Sequence, residues 1–162
     1  MNSRKIRFQW IALLLGIIFS IHAAAQTHPF TEDSLKNIEK RNQGSPWLLI
    51  VWATDCPPCF LELELIAEIK RESPDLPIEL ISMDSKANEK QVQRILDRNN
   101  LDSWFYTGSN VSRLQFIIDP EWRGELPRNY FYQADGERHP QSGALTKDAI
   151  THWFKQAEES TN

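Results

Sequence analysis

Residues 47–59 read WLLIVWATDCPPC, and the rest of the chain is organised around this stretch. Its first six residues are all apolar and show no polar alternation, which predicts a strand buried on both faces. Cys56 and Cys59 follow this strand, and a helical pattern begins directly after them. The first amide groups of a helix lack intrahelical partners and the helix dipole is positive there, so a thiolate is favoured at this point. Two thiols separated by two residues can form a disulfide and open again.

The composition is that of one modest domain. The chain has 162 residues, of which 41% are hydrophobic and 10% aromatic, enough for a packed core. Its net charge of −4, with no dense basic cluster beyond the N-terminus, argues against nucleic-acid binding. Both cysteines lie in the one motif, whereas a disulfide scaffold would scatter more of them. We expect no metal, because no two histidines have ligand spacing: His22, His28, His139 and His152.

Residues 1–25 have the pattern of a secretory leader. Basic residues occupy three of the first seven positions, an apolar run of about a dozen residues covers 10–21, and small residues stand at 23–25. The apolar run is too short to span a bilayer comfortably. We predict cleavage after Ala25 and a periplasmic or other extracytoplasmic location. The alternative is an uncleaved N-terminal membrane anchor, which also exports the remainder of the chain.

After the leader, we expect a linker and an N-terminal helix over residues 26–45, with the linker at 26–30. The main domain is predicted at 46–157 and a frayed tail at 158–162. In the helix after the cysteines, three residues recur every four positions and predict the face on the sheet: Leu61, Leu65 and Ile69. Asp84 is placed to cap a later helix, and Asp135-Gly136 predicts a hairpin turn. Strands linked by a helix should be parallel, so we expect a mixed α/β sheet of four or five strands, with helices on both faces.

The chain resembles the exported redoxins of the TlpA/ResA type, which have a thioredoxin fold. The resemblance spans about residues 46–154 and is based on three features. The first is the motif at 51–59, with CxxC at a strand-to-helix junction. The second is Glu62, three residues after the second cysteine. The third is the segment WRGELP at 122–127, followed by a strand and the hairpin turn.

The resemblance implies a role for each of these residues. Cys56 would be the nucleophile and Cys59 the buried thiol that resolves the mixed disulfide. Glu62 would be buried near them and move protons, with a raised pKa, although a glutamate that only suits the helix dipole is the alternative. Pro127 would be a cis-proline facing the cysteines, which leaves the backbone of Leu126 free to pair with an extended substrate.

Four further residues are predicted to modulate the site or to shield it. Pro57 and Pro58 remove two backbone donors and stiffen the loop, so the Cys59 amide or thiol becomes the expected local donor to the Cys56 sulfur. Asp55 replaces the tryptophan usual in the family, and its carboxylate should make Cys56 less acidic. Trp52 would either shield the thiols and contact substrate or simply pack in the core.

We therefore predict a thiol–disulfide oxidoreductase that acts on exported cysteine-containing proteins, and the resemblance favours reduction. Apocytochrome c is one such substrate, and a membrane-embedded thiol carrier would supply electrons. No diffusible cofactor is needed beyond the Cys56–Cys59 pair. Three alternatives stay open: a disulfide oxidase or isomerase, a metal-binding module that uses the two cysteines, and a redox-inert module that keeps only the fold.

Overall fold

The computed structural model describes residues 25–161. The predicted leader, apart from Ala25, lies outside the described residues. Within them, the strands are β1 (Thr27–Phe30), β2 (Trp47–Trp52), β3 (Ile78–Ser82), β4 (Ser103–Tyr106), β5 (Arg128–Tyr132) and β6 (Arg138–Ser142). The helices are α1 (Ser34–Arg41), α2 (Pro57–Glu72), α3 (Glu89–Asn99), α4 (Val111–Ile118) and α5 (Lys147–Thr161), with a short 3₁₀ turn at Lys86–Asn88.

The strands of the described region form one mixed sheet in the order β1-β4-β3-β2-β5-β6. The first four in that order run parallel, whereas β5 and β6 are antiparallel to their neighbours. This confirms the α/β class and the mixed sheet, with six strands rather than four or five. The β5–β6 hairpin turns at Asp135-Gly136, where Gly136 has a φ of 90°.

β2 lies at the centre of the sheet, and all six of its residues are buried, as predicted. Alternate residues face opposite sides, so Leu48, Ile50 and Trp52 join one apolar cluster, and Trp47, Leu49 and Val51 join the other. Helices cover both faces: α2 and α5 contribute to the first cluster, and α1 and α4 contribute to the second. The loop with the cysteines leaves the carboxyl end of this most buried strand.

The predicted linker at residues 26–30 is wrong, because Thr27–Phe30 forms the edge strand β1 and pairs with β4. Pro29 made this segment look unlike a strand, yet an edge strand tolerates a proline whose missing N–H faces away from the ladder. The start of β1 is also held by side chains. The Gln26 N–H donates to Asp102 at 2.7 Å, and Gln93 donates to the Ala25 carbonyl at 2.8 Å.

Two further details of the helices differ from the prediction. The last helix continues to Thr161, so a frayed tail from residue 158 is wrong as far as Thr161; no proline or glycine interrupts it. In α2, Leu61 is 68% exposed and does not face the sheet. The buried face instead runs through Cys59, Glu62, Leu63, Ile66, Ala67 and Ile69. The rest of the predicted stripe is confirmed, because Ile69 is buried and Leu65 packs against the same cluster. Apolar periodicity missed only that Glu62, rather than Leu61, belongs to the buried face.

In the part of the chain that the structure describes, no helix combines the length and apolar character needed to cross a membrane.

Candidate active site

Cys56 and Cys59 are joined by a disulfide, with their Cα atoms 5.3 Å apart. Cys56 is the residue before the first turn of α2 and has extended backbone angles, with φ −110° and ψ 93°. Pro57 and Pro58 occupy the first two helical positions, where their missing N–H groups would have had no intrahelical partner anyway. The Cys59 N–H donates to the Cys56 carbonyl at 3.0 Å, so that amide serves the backbone rather than the sulfur.

The two cysteines differ in their access to solvent. Cys56 keeps 6% of its surface exposed, whereas Cys59 keeps 1%. The neighbours of Cys56 in the chain, Asp55 and Pro57, are both exposed. Cys56 is therefore the more accessible of the two cysteines and lies between exposed neighbours, as capture of a partner thiol by the first cysteine requires.

A buried aspartate supports the loop before Cys56. Asp84 is 5% exposed and accepts hydrogen bonds from the Thr54 N–H at 2.9 Å and from the Ser82 hydroxyl at 2.8 Å. It also accepts from the Thr54 hydroxyl and, at 3.0 Å, from the Asn88 amide. Asp84 was predicted only to cap a helix, and its role in the loop was missed. The available signal was that β2 and β3 are adjacent parallel strands, so the residues after them meet at one edge of the sheet.

Glu62 is buried beneath the motif, one helical turn after Cys59, with 1% of its surface exposed. Its Oε1 accepts a hydrogen bond from the Leu145 N–H at 2.9 Å, while its Oε2 has no partner among the described residues. Burial raises the pKa of Glu62 to about 7, and the Leu145 N–H and the nearby Asn129 amide oppose that rise. A carboxyl with such a pKa exchanges its proton readily near neutral pH.

The peptide bond between Leu126 and Pro127 is cis. β5 begins one residue later, and Arg128 pairs with Val51 near the end of β2. The antiparallel register therefore places Pro127 beside the carboxyl end of β2, from which the cysteine loop departs. Leu126 is partly buried and packs against the apolar cluster that contains both cysteines.

Trp52 lies in the core. Its side chain is fully buried, and its indole N–H donates to the Ser103 hydroxyl at 3.1 Å. The position fits the packing alternative, because a side chain with no exposed surface does not meet a substrate. Within residues 25–161, no group of three or more His, Cys, Asp or Glu side chains is arranged to hold a metal ion.

Several solved structures are similar in fold to this chain. No family model and no curated protein matches the chain. A pneumococcal exposed lipoprotein thioredoxin from Streptococcus pneumoniae is 22% identical, with a TM-score of 0.58 over 72% of this chain and 88% of the other. A thioredoxin-related protein from Neisseria meningitidis is 23% identical, with a TM-score of 0.56 over 72% and 87%. A secreted Mycobacterium tuberculosis disulfide oxidoreductase is 18% identical, with a TM-score of 0.54 over 72% and 85%.

The chain has a thioredoxin fold. The shared architecture and the CxxC pair at the start of α2 agree with the expectation from the sequence. In this thioredoxin fold the cysteine pair, the buried Glu62 and the cis-proline loop all lie around the carboxyl end of β2.

Proposed function

We propose that this protein is a thiol–disulfide oxidoreductase that exchanges disulfides with other proteins through Cys56 and Cys59. The observation that carries the proposal is the disulfide at the start of α2, in which Cys56 is the more accessible cysteine and Cys59 is buried one helical turn before the buried Glu62. The similar solved structures include proteins described as thioredoxins and as a disulfide oxidoreductase, which supports the same reaction.

The exchange begins from the reduced protein. The Cys56 thiolate attacks one sulfur of a substrate disulfide, forms a mixed disulfide and releases the other substrate sulfur as a thiolate, which takes up a proton. Cys59 then loses its proton to Glu62, attacks the Cys56 sulfur and releases the second substrate thiol. The substrate gains two electrons and the protein is left with the Cys56–Cys59 disulfide. A dithiol donor must then reduce that disulfide to complete the cycle.

The backbone next to Pro127 is the proposed binding site for an extended substrate segment. Among the described residues, the Leu126 backbone takes part in no backbone–backbone hydrogen bond. Its N–H and C=O are therefore available to a strand that approaches Cys56. Pairing of this kind binds the substrate backbone and leaves its side-chain sequence largely free, which suits an enzyme with several protein substrates.

The same site favours reduction of substrates over their oxidation. Strong oxidants of this class stabilise the thiolate of their first cysteine. Here two of the first N–H groups of α2 are replaced by prolines, and Asp55 places an exposed carboxylate next to Cys56. Both features weaken thiolate stabilisation. We therefore propose a potential near the reducing end of the range for such proteins, which runs from about −270 to about −120 mV.

The protein is proposed to work outside the cytoplasm, on exported proteins such as apocytochrome c, with electrons from a membrane thiol carrier. The predicted leader and the similarity to a secreted and an exposed protein support this location. Cleavage after Ala25 would turn the Gln26 nitrogen, which donates to Asp102 at 2.7 Å, into a charged ammonium group. N-terminal sequencing of the mature protein tests this, and a first residue other than Gln26 would contradict the predicted cleavage site.

Reduction of insulin in the presence of dithiothreitol tests the reaction itself. We expect the wild type to accelerate insulin precipitation and Cys56→Ser to abolish the acceleration. Cys59→Ser should instead accumulate a mixed disulfide that is visible on a non-reducing gel, because the resolving thiol is gone. Wild-type acceleration that persists in Cys56→Ser would refute the proposed function. Equilibration with glutathione buffers then measures the potential, and a value near −120 mV would refute the proposed direction.

A further inference from the structure

Two buried polar side chains from different elements bind the same short backbone segment. Glu62 on α2 accepts a hydrogen bond from the Leu145 N–H at 2.9 Å, and Asn129 on β5 donates through Nδ2 to the Gly143 carbonyl at 2.9 Å. Asn129 has no exposed surface and Glu62 has 1%. Because Gly143 and Leu145 are only two residues apart, the segment brings the carboxyl and the amide together inside the protein.

The hydrogen bonding of this pair is incomplete. Glu62 Oε2 and Asn129 Oδ1 are both buried and have no partner among the described residues. A side-chain amide nitrogen carries two hydrogens, and the Gly143 carbonyl occupies only one of them. An unsatisfied buried carboxylate oxygen is costly, so an ionised Glu62 needs a further donor. Asn129 binds the same short segment, and its amide is among the groups that lower the pKa of Glu62, so it is the candidate donor.

Among residues 25–161, the groups that shift the pKa of Glu62 include no charged group. The groups that shift its pKa are its burial, which raises it, and the Leu145 N–H and the Asn129 amide, which lower it. Neither of these donors ionises. The titratable groups in the apolar cluster beside it are Cys56 and Cys59, which are joined in the disulfide and carry no charge. When the disulfide opens, their thiols become groups of this cluster that can titrate.

We propose that Asn129 is a positioning residue for Glu62, and that the second hydrogen of its amide bonds Oε2 of the carboxylate when Glu62 gives up its proton. Asn129 thereby keeps the ionised form accessible at neutral pH, so that Glu62 can take the proton of Cys59 during exchange. An amide does this where a hydroxyl does not, because a hydroxyl has one hydrogen and cannot serve both Gly143 and Glu62. The role in exchange rests on the proposed function, but the contact itself does not.

The contact is tested by NMR titration of the Glu62 side-chain carboxyl carbon in the oxidised protein, where the thiols do not titrate. We expect Asn129→Leu to raise the pKa of Glu62 by about one unit, which lowers the ionised fraction at pH 7 from about one half to about one tenth, a roughly fivefold fall. Gln141→Leu is the matched control, since Gln141 pairs with Asn129 in the sheet and is exposed, and the pKa should stay at the wild-type value.

Asn129→Ala provides a second measurement if the leucine variant does not fold, and because alanine has no side-chain donor it should also leave the pKa of Glu62 raised. An unchanged pKa in whichever variants fold overturns the inference. The role in exchange is read from the pH dependence of single-turnover disulfide reduction. In Asn129→Leu, the midpoint of the pH dependence of the reduction rate should move upward together with the pKa of Glu62. In a Glu62→Gln background, Asn129→Leu should leave that midpoint unchanged. A wild type that reduces no disulfide refutes the proposed function, while the titration still decides the contact.

Discussion

Replacing Glu62 by glutamine should stabilise the oxidised protein at alkaline pH and leave its stability nearly unchanged at acid pH. Glu62 is buried, and its pKa lies at about 7 in the folded protein against 4.5 for an ordinary glutamate. Between these two values the folded protein retains a proton that the unfolded chain has lost. The free energy of unfolding therefore falls as the pH rises through this window, by about 1.4 kcal/mol for each pH unit.

The whole loss is about 3 kcal/mol and is complete once the pH exceeds about 7. Below about pH 4.5 the carboxyl is protonated in both states and no loss occurs. Glutamine has the same shape, keeps an oxygen for the Leu145 N–H and never ionises, so the variant does not suffer the loss. A stability difference of this size is a large share of the total for a domain of this length.

Urea unfolding of the oxidised proteins, followed by tryptophan fluorescence from pH 4.5 to pH 9, measures the effect. The oxidised form is chosen because its cysteines do not titrate. Glu64→Gln is the matched control, since Glu64 is an exposed glutamate on the same helix, and its curve should run parallel to the wild type. If the curves of Glu62→Gln and the wild type also stay parallel across this range, the reasoning from burial is refuted.

Three other predictions concern the surroundings of the disulfide. Asp84→Ala should lower the free energy of unfolding by about 2–3 kcal/mol, because buried donors including the Thr54 N–H lose their acceptor; urea unfolding that matches the wild type would contradict this. Gly143→Ala should cost about 1–2 kcal/mol, since Gly143 has a φ of +93°, and thermal unfolding measures it. Asp55→Trp should lower the pKa of Cys56 by about half a unit, the value for a charge about 6 Å away in water. Thiolate absorbance of the reduced protein checks this, and equal pKa values would reject it.

The sequence predicted the parts of the site that are specified by neighbours in the chain. The unbroken apolar run of β2 indicated a doubly buried strand, and the strand-to-helix position of Cys56 and Cys59 followed from it. The burial of Glu62 and the cis bond before Pro127 agree with the family resemblance rather than with any local pattern. The apolar periodicity of α2 by itself predicted that Leu61 lies in the core, because this kind of pattern counts every leucine as buried and every glutamate as exposed.

What the sequence did not predict depends on contacts between distant segments. Asp84 supports the loop through Thr54, 30 residues earlier, and only the parallel pairing of β2 and β3 brings the two together. Asn129 on β5 and Glu62 on α2 both bind the segment at residues 143–145, although it lies 14 and 83 residues away from them in the chain. β1 is stabilised by its pairing with β4, more than 70 residues later in the chain. None of these contacts can be predicted from the periodicity of apolar residues in the sequence.

The direction of β1 determines how the molecule would be oriented if residues before Ala25 fix it to a surface. β1 runs parallel to β4, β3 and β2, so the chain enters the sheet from the end opposite to the cysteine loop. A tether at that point would hold the protein by its base, with the reactive sulfur facing outward. Soluble partners could then reach Cys56 without passing between the protein and the surface to which it is attached.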